Sequence, residues 1–198
     1  MQYKKDEIKE KIDAAALTVF AGKGYKSAKI SDISESAGVS VGNIYRYYKS
    51  KDEIFYANVH EDFIEEAKTL LAEKIFAMER RENPSEIINF MVENRNKLII
   101  VFEKCEGTKY EKAKSELVEF ILMTVRKSLE EQFGISEIES THGFTAAIIY
   151  NNLIDMVLGI LEESKDSETA AKCLGAINTY HMFGITGFLT QNTQQLFK

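Results

Sequence analysis

Residues 30–51 read Ile-Ser-Asp-Ile-Ser-Glu-Ser-Ala-Gly-Val-Ser-Val-Gly-Asn-Ile-Tyr-Arg-Tyr-Tyr-Lys-Ser-Lys, and they spell two short helices joined by a tight turn. Ile30, Ile33 and Ala37 recur on one helical face, and Gly38 follows where a helix end favours positive φ. Ser40 carries a hydroxyl suited to cap a second helix of three turns. Ile44 and Tyr48 give that helix a buried side at i, i+4. Val41, Gly42, Asn43, Tyr45, Arg46 and Tyr47 are left facing outward. This is a helix-turn-helix pattern, with a second helix suited to a DNA groove.

The outward residues fit DNA for separate reasons. Glycine in a helix costs about 1 kcal/mol against alanine, and close approach of a DNA strand is one reason to keep Gly42. Tyr45 and Tyr47 carry hydroxyls for phosphate oxygens, which fix register without reading sequence. Arg46 can fork onto a guanine edge, and Asn43 can pair with an adenine edge. Lys51 stands at the start of the next helix, where its ammonium and the helix amides can meet one phosphate. Lys29 and Ser31, at the start of the first of the two helices, join the DNA-side set. The competing reading is a solvated face of a helical bundle, with Tyr47 and Tyr48 as core aromatics.

Upstream, Ile8, Ile12, Ala15, Ala16, Val19 and Phe20 repeat at helical spacing, predicting a helix over about residues 4–22 that ends at Gly22-Lys23-Gly24. The run from Ile8 to Phe55 resembles the DNA-binding domain of the TetR (tetracycline-repressor-like) family of bacterial regulators. The resemblance is carried by Ala-Leu-Thr-Val-Phe (16–20), Gly24-Tyr25, Asp32-Ile33, Ala37-Gly38-Val39-Ser40, Gly42-Asn43-Ile44-Tyr45, Tyr47-Tyr48 and Lys49-Ser50-Lys51-Asp52-Glu53. There are two departures. Lys29 stands where the family usually carries a capping serine or threonine, which leaves capping to water or to a neighbour such as Ser27. Asn43 stands where many relatives carry threonine, which changes the base preference the resemblance would imply.

The whole chain is acidic at −6, yet residues 1–51 hold ten Lys/Arg against six Asp/Glu, and the rest fifteen against twenty-five. A basic head on an acidic body concentrates anion attraction at one end. With 198 residues and one proline, the chain shows no low-complexity linker and no internal repeat. Its start, Met-Gln-Tyr-Lys-Lys-Asp, lacks the apolar core of a signal peptide. The most apolar run, 144–161, is interrupted by Asn151, Asn152 and Asp155, arguing against a membrane span. The expected setting is cytoplasmic, with Cys105 and Cys173 read as small buried hydrophobes.

From Lys51 onward the pattern stays helical, giving an all-α chain of about eight helices. Its expected domains are a helix-turn-helix head over 1–50 and a helical ligand-binding and dimerisation part over 51–198. One long helix is predicted over 52–78, a lever from the phosphate into the body. A second opens on the start signal Asn83-Pro84-Ser85-Glu86 and runs through Phe102. Helices over 109–132, 139–163 and 167–191 follow. The last two are apolar nearly all round, with small residues beside aromatics, which predicts burial on two sides. A homodimer through a four-helix bundle is the economical reading, and the resemblance implies it too. Its interface candidates are Leu153, Val157, Ile160, Ala176, Tyr180, Phe183, Gly184 and Gly187.

The resemblance further implies a small-molecule effector pocket in the middle helices. Candidate lining residues are Phe63, Phe90, Met91, Arg95, Phe102, Phe120, Met123, Tyr150, Asn151 and Asp155. His142 and His181 read as capping or interface residues, because no Cys/His/carboxylate cluster has ligand spacing; no metal or cofactor is expected. No nucleophile elbow, HExxH or phosphate loop occurs, so an enzyme reading finds no support. The expectation is a homodimeric repressor on a palindromic double-stranded operator, released by an effector and making no membrane contact. The alternative is a DNA-binding architectural or partner-regulated protein with no small-molecule ligand.

Overall fold

The computed structural model describes residues 3–77, 85–133 and 140–196, and all ten elements among them are helices. They are α1 (Tyr3–Lys23), α2 (Ile30–Ala37), α3 (Val41–Ile44), α4 (Lys51–Asn58), α5 (Glu61–Ala77), α6 (Ser85–Glu93), α7 (Arg95–Glu103), α8 (Ala113–Phe133), α9 (Ser140–Glu163) and α10 (Ser167–Leu196). The fold is all-α with an N-terminal helix-turn-helix head, as the sequence implies. The start signal Asn83-Pro84 lies outside the described residues.

Two expected long helices are each divided, which raises about eight to ten. The helix predicted over 52–78 breaks at Val59, which leaves helical geometry (φ −122, ψ 91) while its side chain is fully buried. A β-branched residue tolerates that extended backbone well. Glu61 and Asp62 then open α5 with negative charge at its positive end. No continuous rod therefore runs from Lys51 into the body. The helix predicted through Phe102 breaks at Asn94 (φ −102, ψ 19), whose carbonyl accepts the Leu98 amide at 3.0 Å as α7 begins. Residues 108–112 form turns instead of the first part of α8, with the Ala113 amide on the Tyr110 carbonyl at 2.8 Å.

Packing divides the chain into two compact units, Met1–Thr69 with Asn94–Leu117, and Leu70–Glu93 with Val118–Lys198. The first unit reaches past residue 50, taking in α4, the start of α5 and α7. Within it α1 packs against α2, α4 and α7. Ile12, Ala16, Phe20, Ile33, Ile44, Ile54 and Phe55 are fully buried, each large side chain worth about 1.5–3 kcal/mol. Tyr25 and Phe55 meet edge to face at 4.8 Å, and Phe20 lies 5.5 Å from Phe55. Gly24 takes φ +76 after α1, and the next amide, Tyr25, donates to the Lys104 carbonyl at 2.7 Å. That positive φ suits glycine and brings the segment after α7 onto the head.

In the second unit α10 packs against α9 and α6. Among the described residues, Tyr150, Ile154, Leu158 and Leu161 are the deeply buried side chains of α9, and Ala170, Leu174 and His181 those of α10. The Ile88 side chain of α6 lies 4.0 Å from where a Cβ on Gly175 would stand. Asp166 caps α10 through the Thr169 amide at 2.7 Å.

Candidate nucleic-acid interface

The recognition element is assembled by caps at each end. At the start of α2 the Lys29 amide donates to the Asp32 carboxylate at 2.9 Å. Lys23 holds the same carboxylate at 2.9 Å. Asp32 therefore satisfies the Lys29 amide just ahead of α2, while the Lys29 side chain makes no cap hydrogen bond. The Lys23 ammonium first, and the Lys29 amide second, hold its carboxyl below the usual carboxylate range.

Gly38 ends α2 in the left-handed conformation (φ 65, ψ 30), and the Val39 amide returns to the Ser34 carbonyl at 3.1 Å. The Ser34 hydroxyl also donates to the Val39 carbonyl, at 2.5 Å. The turn is thus locked on both sides. Ser40 then caps α3, its hydroxyl accepting the Asn43 amide at 3.2 Å.

α3 is shorter than the three turns expected of it. Only Val41–Ile44 is α-helical. The Arg46 and Tyr47 amides follow with three-residue spacing, to Asn43 at 3.2 Å and Ile44 at 2.9 Å. Tyr48 returns to the Ile44 carbonyl at 3.0 Å, and its ring is buried beside fully buried Ile44. Lys29, Ser31, Ser40, Val41, Gly42, Tyr45 and Arg46 are exposed, whereas Asn43, Tyr47 and Lys51 are half-buried. Tyr45 stands 53 % exposed and Val41 39 %. A Cβ added to Gly42 would meet nothing within 4 Å, so neither packing nor backbone angle requires glycine there.

A residue that sequence reading passed over holds this element in place. The Asp13 carboxylate of α1 accepts the Tyr48 hydroxyl, the Asn58 amide at 3.1 Å and the Lys9 ammonium at 2.8 Å. One carboxylate thereby ties the end of the recognition element to α1 and α4. Its signal was a lone acid beside the apolar face of α1, next to Ile12 and Ala16.

Lys51 departs from its expected role. Its ammonium donates to the carbonyls of Tyr25 at 2.6 Å and Ala28 at 3.0 Å, and lies 4.3 Å from the Tyr25 ring centre. Those donors are committed inside the fold, so a phosphate would have to displace them. Asp52 accepts the Tyr25 hydroxyl, and Ser50 caps α4 through the Glu53 amide at 3.1 Å. The α4 start is therefore braced by its own side chains.

The model for bacterial regulatory proteins of the tetR family matches residues 12–57, the segment that forms this head. Residues 12–57 form a TetR-family DNA-binding head. The fatty acid metabolism regulator protein of Bacillus subtilis (strain 168) is 36% identical over 83 residues, covering 40% of this chain and 42% of that one. The biofilm operon icaADBC HTH-type negative transcriptional regulator IcaR of Staphylococcus epidermidis is 36% identical over 56 residues, covering 28% of this chain and 30% of that one. Each alignment thus spans less than half of its relative's length. A TetR-like transcriptional regulator from Rhodococcus sp. RHA1 shares the fold along most of the chain, at TM-score 0.50 and 19% identity, covering 91% of this chain and 96% of that one.

Outside the TetR head, the other candidates separate by unit. Phe63, Arg95 and Phe102 belong to the first, and Phe90, Met91, Phe120, Met123, Tyr150, Asn151 and Asp155 to the second. Phe63, Phe102 and Tyr150 are buried. Met123, at 70 % exposure, and Asn151 and Asp155 instead face outward and do not line the interior of their unit. Burial pushes the Tyr150 phenol up to about 12. Ala176, Tyr180, Phe183, Gly184 and Gly187 form an exposed stripe on α10, while Leu153, Val157 and Ile160 are half-buried on α9. Phe144 and Ile148, absent from the expected interface, are exposed as well.

His181 is a core residue, packed 5.3 Å from the Tyr150 ring, rather than an interface or capping one. The His142 side chain lies outside the described residues. Among the described residues no group of His, Cys, Asp or Glu is placed to hold a metal ion. Both cysteines are free thiols; Cys105 is buried, but Cys173 is exposed on α10, contrary to the expectation of a buried hydrophobe.

Proposed function

We propose that this protein is a homodimeric TetR-family transcriptional repressor that binds a two-fold symmetric operator and is released by a small molecule. The carrying observation is where large apolar side chains stay exposed. Among the described residues these are Val41 and Tyr45 on the recognition element, and Met123, Phe144, Ile148, Tyr180 and Phe183 in the second unit. The first pair suits DNA and the α9/α10 set suits a second copy of the chain.

Glycines support the second copy. Gly159, Gly184 and Gly187 sit inside long helices, and a Cβ on any of them would meet nothing within 4 Å of the same chain. Each costs about 1 kcal/mol of helix stability against alanine, and close approach of a partner helix accounts for it. The segment Gly143–Glu163 is long and apolar enough to cross a membrane, with 22% of it buried. Asn151, Asn152 and Asp155 face outward on it, which suits a protein partner better than hydrocarbon. A two-fold dimer supplies the two heads that an operator with half-sites about 34–36 Å apart requires.

Release follows from population shift: an effector that prefers one head spacing lowers operator affinity by its differential binding to the two states. Residues 1–50 serve DNA and 51–198 serve effector and dimer, in the cytoplasm. With α4 and α5 broken at Val59, the segment after α7 is the better transmitter to the head. It is fixed there by Tyr25 on Lys104 at 2.7 Å and by the Lys26–Glu106 ion pair.

Sedimentation of the wild type and Phe183→Asp tests the assembly. A dimer that becomes monomer in the variant, with operator affinity lost in parallel, is the expected result. A wild-type monomer, or a Phe183→Asp dimer, would contradict it.

A further inference from the structure

The buried side chains of α9 and α10 are apolar from Leu161 and Ala170 as far as Ile154 and Leu174, and then give way to Tyr150 and His181. The two rings meet edge to face at 5.3 Å and 61°. His181 is 5% exposed, and among the described residues its Nε2 has no hydrogen-bond partner. Burial holds the imidazole below its ordinary pKa, so it is neutral at pH 7.

A buried nitrogen without a partner destabilises the fold, and phenylalanine would fill a similar volume without that loss. Its presence makes sense where a molecule from outside supplies the missing bond. Among the described residues the buried polar side chains are Thr124, Ser128 and His181, with no buried lysine or arginine. The Thr124 hydroxyl already donates to the Phe120 carbonyl at 2.8 Å. An anionic group would find no buried cation among the described residues, whereas a hydroxyl can donate to Nε2 or accept from it, whichever tautomer is present.

We propose that His181, backed by Tyr150, is the polar anchor of an effector site in the second unit, and that its ligand is an uncharged, mainly apolar alcohol. This deepens the ligand-released reading above and rests on it.

The test uses full-length protein with 1-decanol as the probe and decanoate as its charged counterpart at pH 7.5. 1-Decanol should move the Nε2 resonance of His181 in the wild type. His181→Phe should melt no lower than the wild type yet bind 1-decanol about tenfold or more weakly, and decanoate should bind the wild type about tenfold or more weakly than 1-decanol. No binding of 1-decanol, equal binding by both proteins, an unmoved His181 resonance, or decanoate binding as tightly as the alcohol would each overturn the anchor. Operator release is scored separately. Release of DNA by any small molecule that binds His181→Phe as tightly as the wild type would keep the ligand-responsive reading and remove His181 from it.

Discussion

The ammonium of Lys51 lies 2.6 Å from the Tyr25 carbonyl oxygen and 4.3 Å from the centre of the Tyr25 ring. One cation thus fastens α4 to the turn after α1, stabilised by a charge-assisted hydrogen bond and by the ring face together.

Lys51→Met should therefore destabilise the protein by about 1–3 kcal/mol, read as a lower urea midpoint. Operator affinity should fall through loss of folded head, with the salt slope unchanged. A phosphate contact would behave differently, reducing that slope by about 1 with little change in stability.

Tyr48→Phe removes one hydroxyl from the Asp13 carboxylate and should cost about 1 kcal/mol. Asp13→Ala removes the shared acceptor of Lys9, Tyr48 and Asn58 and should cost more. The double variant should show a coupling of about 0.5–3 kcal/mol in denaturant titrations. Strict additivity would mean the carboxylate does not tie these elements.

Asp32 gives the head an acid limit. Its folded pKa is lowered, first by Lys23 and then by the Lys29 amide. Its contribution is therefore complete above the ordinary carboxylate pKa of about 3.9 and is lost as pH falls through the lower folded value. In thermal melts, Asp32→Asn should be less stable than wild type at neutral pH, with the gap narrowing below about pH 4.

Gly42→Ala separates folding from binding. With open space around an added Cβ, the variant should match or exceed wild-type stability, by up to about 1 kcal/mol. Operator binding should nevertheless weaken in gel-shift titrations if DNA approaches that backbone. Unchanged affinity would remove Gly42 from the interface.

What was legible in the sequence was the local code. The Gly38 stop, the Ser40 cap and the apolar positions Ile33, Ile44 and Tyr48 all act within a few residues of chain, and each is found in the structure as read. What escaped were long-range partnerships. Asp13 meets Tyr48 across 35 positions, and Lys51 meets Tyr25 across 26. Periodicity carries no trace of either pairing. Helix breaks were hidden for a similar reason, because Val59 and Asn94 fit a helical pattern and only burial and backbone conformation show otherwise. Asn151 and Asp155, expected as lining residues, are exposed on α9, because an apolar run does not say which side of a helix is covered.

The most direct test of the central claim is a selection of genomic fragments bound by the purified protein at near-physiological salt, with Tyr45→Ala/Arg46→Ala as control. The account predicts enrichment of a two-fold symmetric site, with half-sites one helical turn or a multiple of it apart, that disappears in the double variant. Fragments enriched no better by the wild type than by the variant would contradict it.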